Sequence, residues 1–502
     1  VRSRGLGDVY KRQYMDTKKI MFLGTASSVG KSTVATAFCR YFKRNGYKVA
    51  PFKALNISLN SFVTKDGDEI GRAQVVQAEA CEIEPKEYMN PILMKPSAGY
   101  KTQVIVRGKV HCTMDSYKYK ELNPYLKTVA KEAFCDISKD YDVIVLEGSG
   151  SCAEINLKDT DIANMKMAEM AEAPVILVAD ISKGGVFASI VGTVMLLDEK
   201  ERSRIKGVII NKFRGRKELF ESAMKQIEDI IHIPVLGVMP HIELDIEEED
   251  GATENIRNIK GQGVDVAVIR LPHMSNFTDF TSLGKIKDVN VRYVEDPKDL
   301  NGAHMIIIPG SKNTIDDLNF IKNGGFEKAL IKAKEKGTLI LGVCGGYQIL
   351  GKKISDLEGV EGESRIEEGL GFLDMETTFN KIKNTRQIKG MDCDGNEITG
   401  YEIHNGDSIP LSKQNIWIKD NNGKVLGMKS SDGKVLGTYI HGLFDEGDFA
   451  LKLINHLKED LNLDIEEEMK YKDYKMMQYD KLCDVLEENI NMDLVKEILG
   501  EN

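Results

Sequence analysis

A short apolar run at residues 20–23 leads into Gly24-Thr25-Ala26-Ser27-Ser28-Val29-Gly30-Lys31-Ser32-Thr33, and a helical pattern follows over 31–45. No other feature restricts the fold so tightly. A turn of this composition, set between a strand and a helix, aims several backbone N–H groups at one phosphate, at the positive end of the helix dipole. Lys31 is placed to reach the outer phosphates, and the Ser32 hydroxyl to ligate Mg²⁺. Gly24, Thr25, Val29, Gly30 and Thr33 complete the candidate nucleotide-binding turn.

Apolar runs alternate with helical patterns along most of the 502 residues, which reads as α/β with mostly parallel sheets. Single cores stop growing near ~250–300 residues, so two or more domains are expected. Runs at 20–23, 48–52, 143–146, 175–179 and 207–210 predict the strands of a first domain, with helices at 31–45 and 161–171 among them. An acidic block at 243–250 predicts an exposed linker. A second parallel set follows at 264–269, 305–308 and 338–343. Shorter runs at 415–418, 425–428 and 435–440, separated by Gly, Asn and Asp turns, predict hairpins. Beyond residue 446 the Leu/Met/Ile spacing predicts a helical packing face, against the other domain or a second subunit. The expected division is 1–14 non-native or disordered, 15–240 a nucleotide-binding domain, 241–262 an acidic linker, 263–455 a second α/β domain, and 456–502 a helical tail.

Bulk properties exclude several classes. A net charge of −10 without a dominant basic patch argues against nucleic acid or an anionic membrane as the main partner. Apolar runs such as 173–179 are too short to span a bilayer. The eight cysteines form no C-x-x-C pair, which argues against a zinc site and a disulfide framework and favours a reducing cytoplasm.

Magnesium needs further oxygen ligands. Glu147 ends the run Val143-Ile144-Val145-Leu146, a natural place for a metal carboxylate, and Glu69 is a second candidate. Lys53, after a strand, is placed for the substrate carboxylate or the γ-phosphate. Asn211, also at a strand end, offers an amide to the adenine edge.

The second chemical signature is Leu341-Gly342-Val343-Cys344-Gly345-Gly346-Tyr347-Gln348. A strand, a cysteine, two glycines and a helix describe a nucleophile elbow, whose glycines permit close backbone approach. The helix N-terminus favours thiolate. His441, in Tyr439-Ile440-His441-Gly442, is the candidate general base. His404 is a weaker candidate, suited to positioning or packing. The N–H groups of Gly310 and Gly345 are the expected oxyanion hole.

The loop pattern, with Thr25 where glycine is usual, resembles the dethiobiotin synthetase branch of the phosphate-loop fold. Over residues 19–445 the chain resembles the cobyric acid synthases, corrinoid amidotransferases. The resemblance is carried by both signatures and by Ala50-Pro51-Phe52-Lys53-Ala54-Leu55-Asn56-Ile57-Ser58-Leu59-Asn60-Ser61-Phe62, Glu69-Ile70-Gly71-Arg72-Ala73-Gln74, Asp180-Ile181-Ser182-Lys183-Gly184-Gly185-Val186-Phe187-Ala188 and Leu271-Pro272-His273-Met274-Ser275-Asn276-Phe277-Thr278-Asp279-Phe280. It implies a dethiobiotin-synthetase-like domain followed by a class I glutamine amidotransferase domain. The implied reaction uses ATP, Mg²⁺ and L-glutamine to amidate four carboxylates of adenosylcobyrinic acid a,c-diamide, with Cys344 as nucleophile and His441 as base. A sheltered passage for ammonia is expected between the domains. Many class I glutaminases carry an acid two residues after the histidine; here that position is Leu443, so Asp445 or another acid is left to orient His441. Two alternatives compete: a cobyrinic acid a,c-diamide synthase, which shares both domains, and a partitioning ATPase, which has no use for Cys344 and His441.

Overall fold

The computed structural model describes residues 17–97, 101–115, 118–242, 244–246, 263–445, 448–463 and 470–501. Residues 1–14 and most of the expected 241–262 linker lie outside the described residues. Two parallel α/β units follow one another along the chain.

The first is a six-stranded sheet in the order Val235–Pro240, Ile205–Phe213, Val175–Asp180, Lys18–Gly24, Val143–Glu147, Val49–Phe52, parallel throughout. Its strands are apolar almost end to end because two separate cores cover its two faces. Lys18–Gly24 lies inside the sheet, and its C-terminal end delivers the phosphate loop to the helix Lys31–Arg44. Ligands of open parallel sheets bind outside such strand ends, and Glu147 closes the neighbouring strand at the same end.

A small sheet that the hydrophobic pattern did not reveal is built on this domain. Its order is Leu55–Ile57, Ile92–Ser97, Lys101–Val106, Lys109–Asp115. The last two strands turn through Arg107 (φ 45°) and Gly108 (φ 78°), the left-handed pair that suits a two-residue hairpin.

The second unit is an eleven-stranded sheet. Its parallel part runs Val289–Val294, Val264–Ile269, Met305–Ile308, Leu339–Val343, Val435–Thr438. Val425–Lys429 and Ile416–Asp420 continue it antiparallel, as their turn residues predict. Beyond them stands a long hairpin, Met375–Asp392 with Glu397–Pro410, absent from the sequence expectations.

The helix Phe449–Asp460 runs across the expected boundary at residue 455 and closes the core of the second sheet. The helices Tyr471–Asn489 and Met492–Ile498 return to the first domain. Tyr479, Leu482, Cys483 and Leu486 enter the same core as Phe38 and Phe42. Each large apolar side chain so buried contributes roughly 1.5–3 kcal/mol. Arg40 and Arg44 pair with Asp480 and Asp484 beside them.

The two units meet through a small hairpin of the first, Ser61–Val63 with Glu69–Gly71. Lys383 and Thr385 of the long hairpin reach Glu69 and the Gly67 carbonyl. No helix among the described residues is long and apolar enough to cross a membrane.

Candidate active site

The phosphate loop is shaped by backbone constraints. Gly30 caps the helix at φ 90°, and a Cβ there would lie 2.2 Å from the Asn211 amide nitrogen. Thr25 N–H donates to the Val178 carbonyl at 3.0 Å, Val29 is buried, and Lys31 Nζ donates to the Ala26 carbonyl at 3.1 Å. Ser32 and Thr33, half-buried, open the helix. Asn211 does not stand free toward a base: its Nδ2 donates to the Val29 carbonyl at 2.9 Å, so it braces the loop.

Glu147 gathers the loop's polar groups. Its Oε1 accepts from Ser32 Oγ at 2.8 Å and from Lys53 Nζ at 3.0 Å, and its Oε2 from Gln77 Nε2 at 2.6 Å. Burial alone pushes Glu147 up; the Lys53 ammonium, with the Gln77 and Ser32 hydrogen bonds, outweighs it and holds the carboxyl below the usual range. Sequence reasoning missed Gln77, which sits mid-helix with no local mark. A hydroxyl beside a carboxylate is the hard-oxygen pair that Mg²⁺ prefers when phosphates supply the remaining ligands, so Ser32 and Glu147 fit that ion.

Glu69 is not part of this group. The sequence suggested a metal ligand; the structure pairs it with Lys95 at 2.5 Å and Lys383 at 2.6 Å, Glu69 and Lys95 buried and Lys383 half-buried. Burial would raise its pKa, but the two ammonium groups hold it well below the carboxylate range. Lys312 Nζ joins the same cluster through Gln103 at 3.3 Å. Burial, reinforced by Lys383 and Lys95, pulls Lys312 down to about 7. No sequence signal joined these four residues, which come from both domains.

Cys344 sits at φ 51° and ψ −106° between strand and helix, a backbone that a non-glycine residue adopts only when its surroundings enforce it. The glycines after it are sterically required. A Cβ at Gly346 would meet the Ile308 carbonyl at 1.9 Å, and one at Gly345 the Ser311 nitrogen at 2.8 Å. The Cys344 thiol donates to the Ile403 carbonyl at 3.8 Å and lines one cavity with His441, whose proton affinity it raises; Gly310 faces the imidazole, its would-be Cβ 3.3 Å from His441 Cε1.

The acid that orients His441 is Asp279. Its Oδ2 lies 2.6 Å from His441 Nδ1, and its Oδ1 accepts the Gly442 N–H at 3.1 Å. Asp445 is engaged elsewhere, with Arg72 at 3.5 Å, and Leu443 is core. Burial would lower the imidazole's proton affinity; Asp279 and Cys344 outweigh it and raise His441 to about 10. Tyr401 stacks on the imidazole with ring centroids 5.5 Å apart and donates its O–H to the Ser61 carbonyl at 3.0 Å. Ser61 N–H donates to Asn276 Oδ1 at 3.2 Å, three residues before Asp279. Thus the first domain braces both supports of the histidine. His404 packs: it stacks on Tyr439 at 3.7 Å, and its ring nitrogens lie 2.6 Å from the Gly406 carbonyl and 3.3 Å from Glu402.

Two cavities connect these groups. One, of about 870 Å³, holds Cys344 and His441 together with Lys95, Lys312 and Lys383. The other, of about 780 Å³, opens beside Ser27 of the phosphate loop and Gly150. Lys101 and Met114 of the small sheet line both.

Comparison with known proteins agrees with this architecture. Residues 20–254 match the family described as the CobQ/CobB/MinD/ParA nucleotide binding domain, and residues 265–449 match the CobB/CobQ-like glutamine amidotransferase domain. A nucleotide-binding sheet joined to a Cys-His-Asp pocket therefore makes this a two-domain glutamine amidotransferase. A cobyric acid synthase of Clostridium perfringens (strain SM101 / Type A) is 71% identical, the match covering 97% of this chain and 100% of that protein. Cobyric acid synthases of Clostridium botulinum (strain Alaska E43 / Type E3) and Caldanaerobacter subterraneus subsp. tengcongensis are 56% and 46% identical, covering 97% and 96% of this chain. The chain belongs to the cobyric acid synthase family.

Proposed function

We propose that the protein converts adenosylcobyrinic acid a,c-diamide to adenosylcobyric acid, amidating four peripheral carboxylates with ATP and glutamine. Residues 263–455 release ammonia and residues 15–240 prime the acceptor. The Cys344 thiolate adds to the glutamine side-chain carbonyl, and the Gly310 and Gly345 N–H groups receive the oxyanion. The C–N bond breaks as the His441 imidazolium protonates the leaving ammonia. His441 then takes a proton from water, which cleaves the thioester to glutamate and restores the thiolate. Asp279 holds the imidazole in orientation through both steps.

At the phosphate loop a corrinoid carboxylate oxygen attacks the γ-phosphorus of ATP, and ADP leaves. Lys31 and the loop N–H groups stabilise the charge on the transferring phosphoryl group. Ser32 and Glu147 would hold Mg²⁺, which supplies charge neutralisation at the phosphates. Ammonia attacks the acyl phosphate, and inorganic phosphate departs. The activation is needed because a free carboxylate is a poor acyl donor.

The observation that supports this reading is the shared wall: Lys101 and Met114 border both the cysteine chamber and the phosphate-loop cavity, so the site that releases ammonia adjoins the site that uses it. Mass spectrometry of adenosylcobyrinic acid a,c-diamide incubated with enzyme, ATP, Mg²⁺ and glutamine tests it. Four successive one-dalton losses are expected, and an unchanged corrinoid contradicts it.

A further inference from the structure

Resting on the corrinoid reading above, we propose that the apolar rim of the phosphate-loop cavity is the corrinoid-docking surface, centred on Ile57, Ile155, Leu157 and Leu196. These four side chains are 53%, 64%, 55% and 53% exposed, yet all line this one cavity. Large apolar groups left in water around a single concavity mark a surface kept for a ligand.

The rim is held open rather than loosely placed. Ile155 and Leu157 lie on the short helical turn Ile155–Thr160, which buries none of its residues. Yet the turn is pinned on several sides. Asn123 Nδ2 donates to the Thr160 carbonyl at 2.7 Å, and Lys127 Nζ to the Asp159 carbonyl at 3.0 Å. Lys158 bridges Asp198 at 3.0 Å and Glu201 at 2.8 Å. A segment fixed so firmly could bury its two apolar side chains, and instead it displays them.

The place of the cavity sets the chemistry of its occupant. Ser27 of the phosphate loop lines it, and a Cβ at Gly150 would lie 3.7 Å from Ser27 Oγ, so the acceptor meets the γ-phosphate at the polar end. The rest of the wall is largely apolar but also holds Lys101, Glu154, Lys158 and Glu201, which suits a broad, flat ring that carries charged arms around its edge. The four apolar side chains of the rim impose no fixed donor and acceptor pattern. The same ring can therefore turn against it and offer a different carboxylate in each round.

Equilibrium dialysis of adenosylcobyrinic acid a,c-diamide, followed by corrin absorbance, tests the proposal on the double variant Ile155→Asp/Leu157→Asp. Its Kd rises about tenfold or more, a loss of about 1.4 kcal/mol or more of binding free energy. KM rises alike for all four amidations, and Leu157→Met retains binding. Glutamine hydrolysis and ATP-analogue affinity, unchanged in the same variant, show that it is folded. An unaltered Kd, or a defect confined to one amidation, overturns the proposal. Should the parent protein neither bind nor amidate the corrinoid, the functional reading itself falls; should only the variant match its parent, the docking surface alone falls.

Discussion

The chamber around Cys344 and the cavity beside the phosphate loop share two wall residues and little else in character. The first is built from buried charge. His441 lies against Asp279, and three buried or half-buried lysines from two domains stand around it. The second is built from backbone N–H groups at one end and exposed apolar side chains at the other. The difference follows the tasks. Splitting an amide needs a fixed proton donor and acceptor at one atom. Priming several carboxylates of one large ring needs a fixed phosphate cradle and a permissive wall.

The largest way to break one side of this contrast is Asp279→Asn. Glutamine hydrolysis falls by up to about 10⁴-fold, as when a triad loses its orienting carboxylate, while amidation from ammonia survives. The alkaline limb of the glutaminase pH profile also moves to lower pH. Asp279 and Cys344 hold His441 up to about 10 against burial, so without the carboxylate the imidazolium is lost earlier as pH rises. Steady-state pH profiles check both. Lys31→Ala breaks the opposite side: amidation from either nitrogen source falls about 10³-fold, read as ADP release, while glutamine is still hydrolysed.

Lys383→Ala strikes the boundary. It leaves buried Glu69 with one cation and destabilises the protein by about 3 kcal/mol in urea unfolding. Because the lysines hold the Glu69 pKa below its unfolded value, their stabilisation is complete above about pH 4.3 and declines as pH falls. The gap between parent and variant therefore narrows in acid. The smallest effect sharpens the contrast by touching neither site. Tyr479→Phe removes an O–H that donates to Glu79 at 2.7 Å, costs about 1–2 kcal/mol of stability, and leaves both activities in place.

What the sequence revealed is what its chemistry writes locally. The phosphate loop and the elbow at Cys344 are each one continuous strand-turn-helix, and the parallel strands are apolar because both faces are covered. The orienting acid is different. Asp279 lies 162 residues before His441, and only the fold brings them together. It stood in the stretch from Leu271 to Phe280 that carried the family resemblance, but nothing local marks its partner. Glu69 misled for the same reason, since its lysines come from distant positions and one is in the other domain. The long hairpin escaped notice because its middle is polar where it meets the first domain, through Lys383, Thr385 and Gln387. Only its ends show the alternation of a half-buried strand, as at Met375, Thr377 and Phe379.

The central claim is that one pocket only supplies ammonia and the other only consumes it. Replacing Cys344 by serine and assaying corrinoid amidation with glutamine and, separately, with ammonium salts tests it most directly. Amidation from ammonium at the parent's rate, with none from glutamine, is the predicted result; loss of both, or survival of the glutamine-dependent reaction, would contradict it.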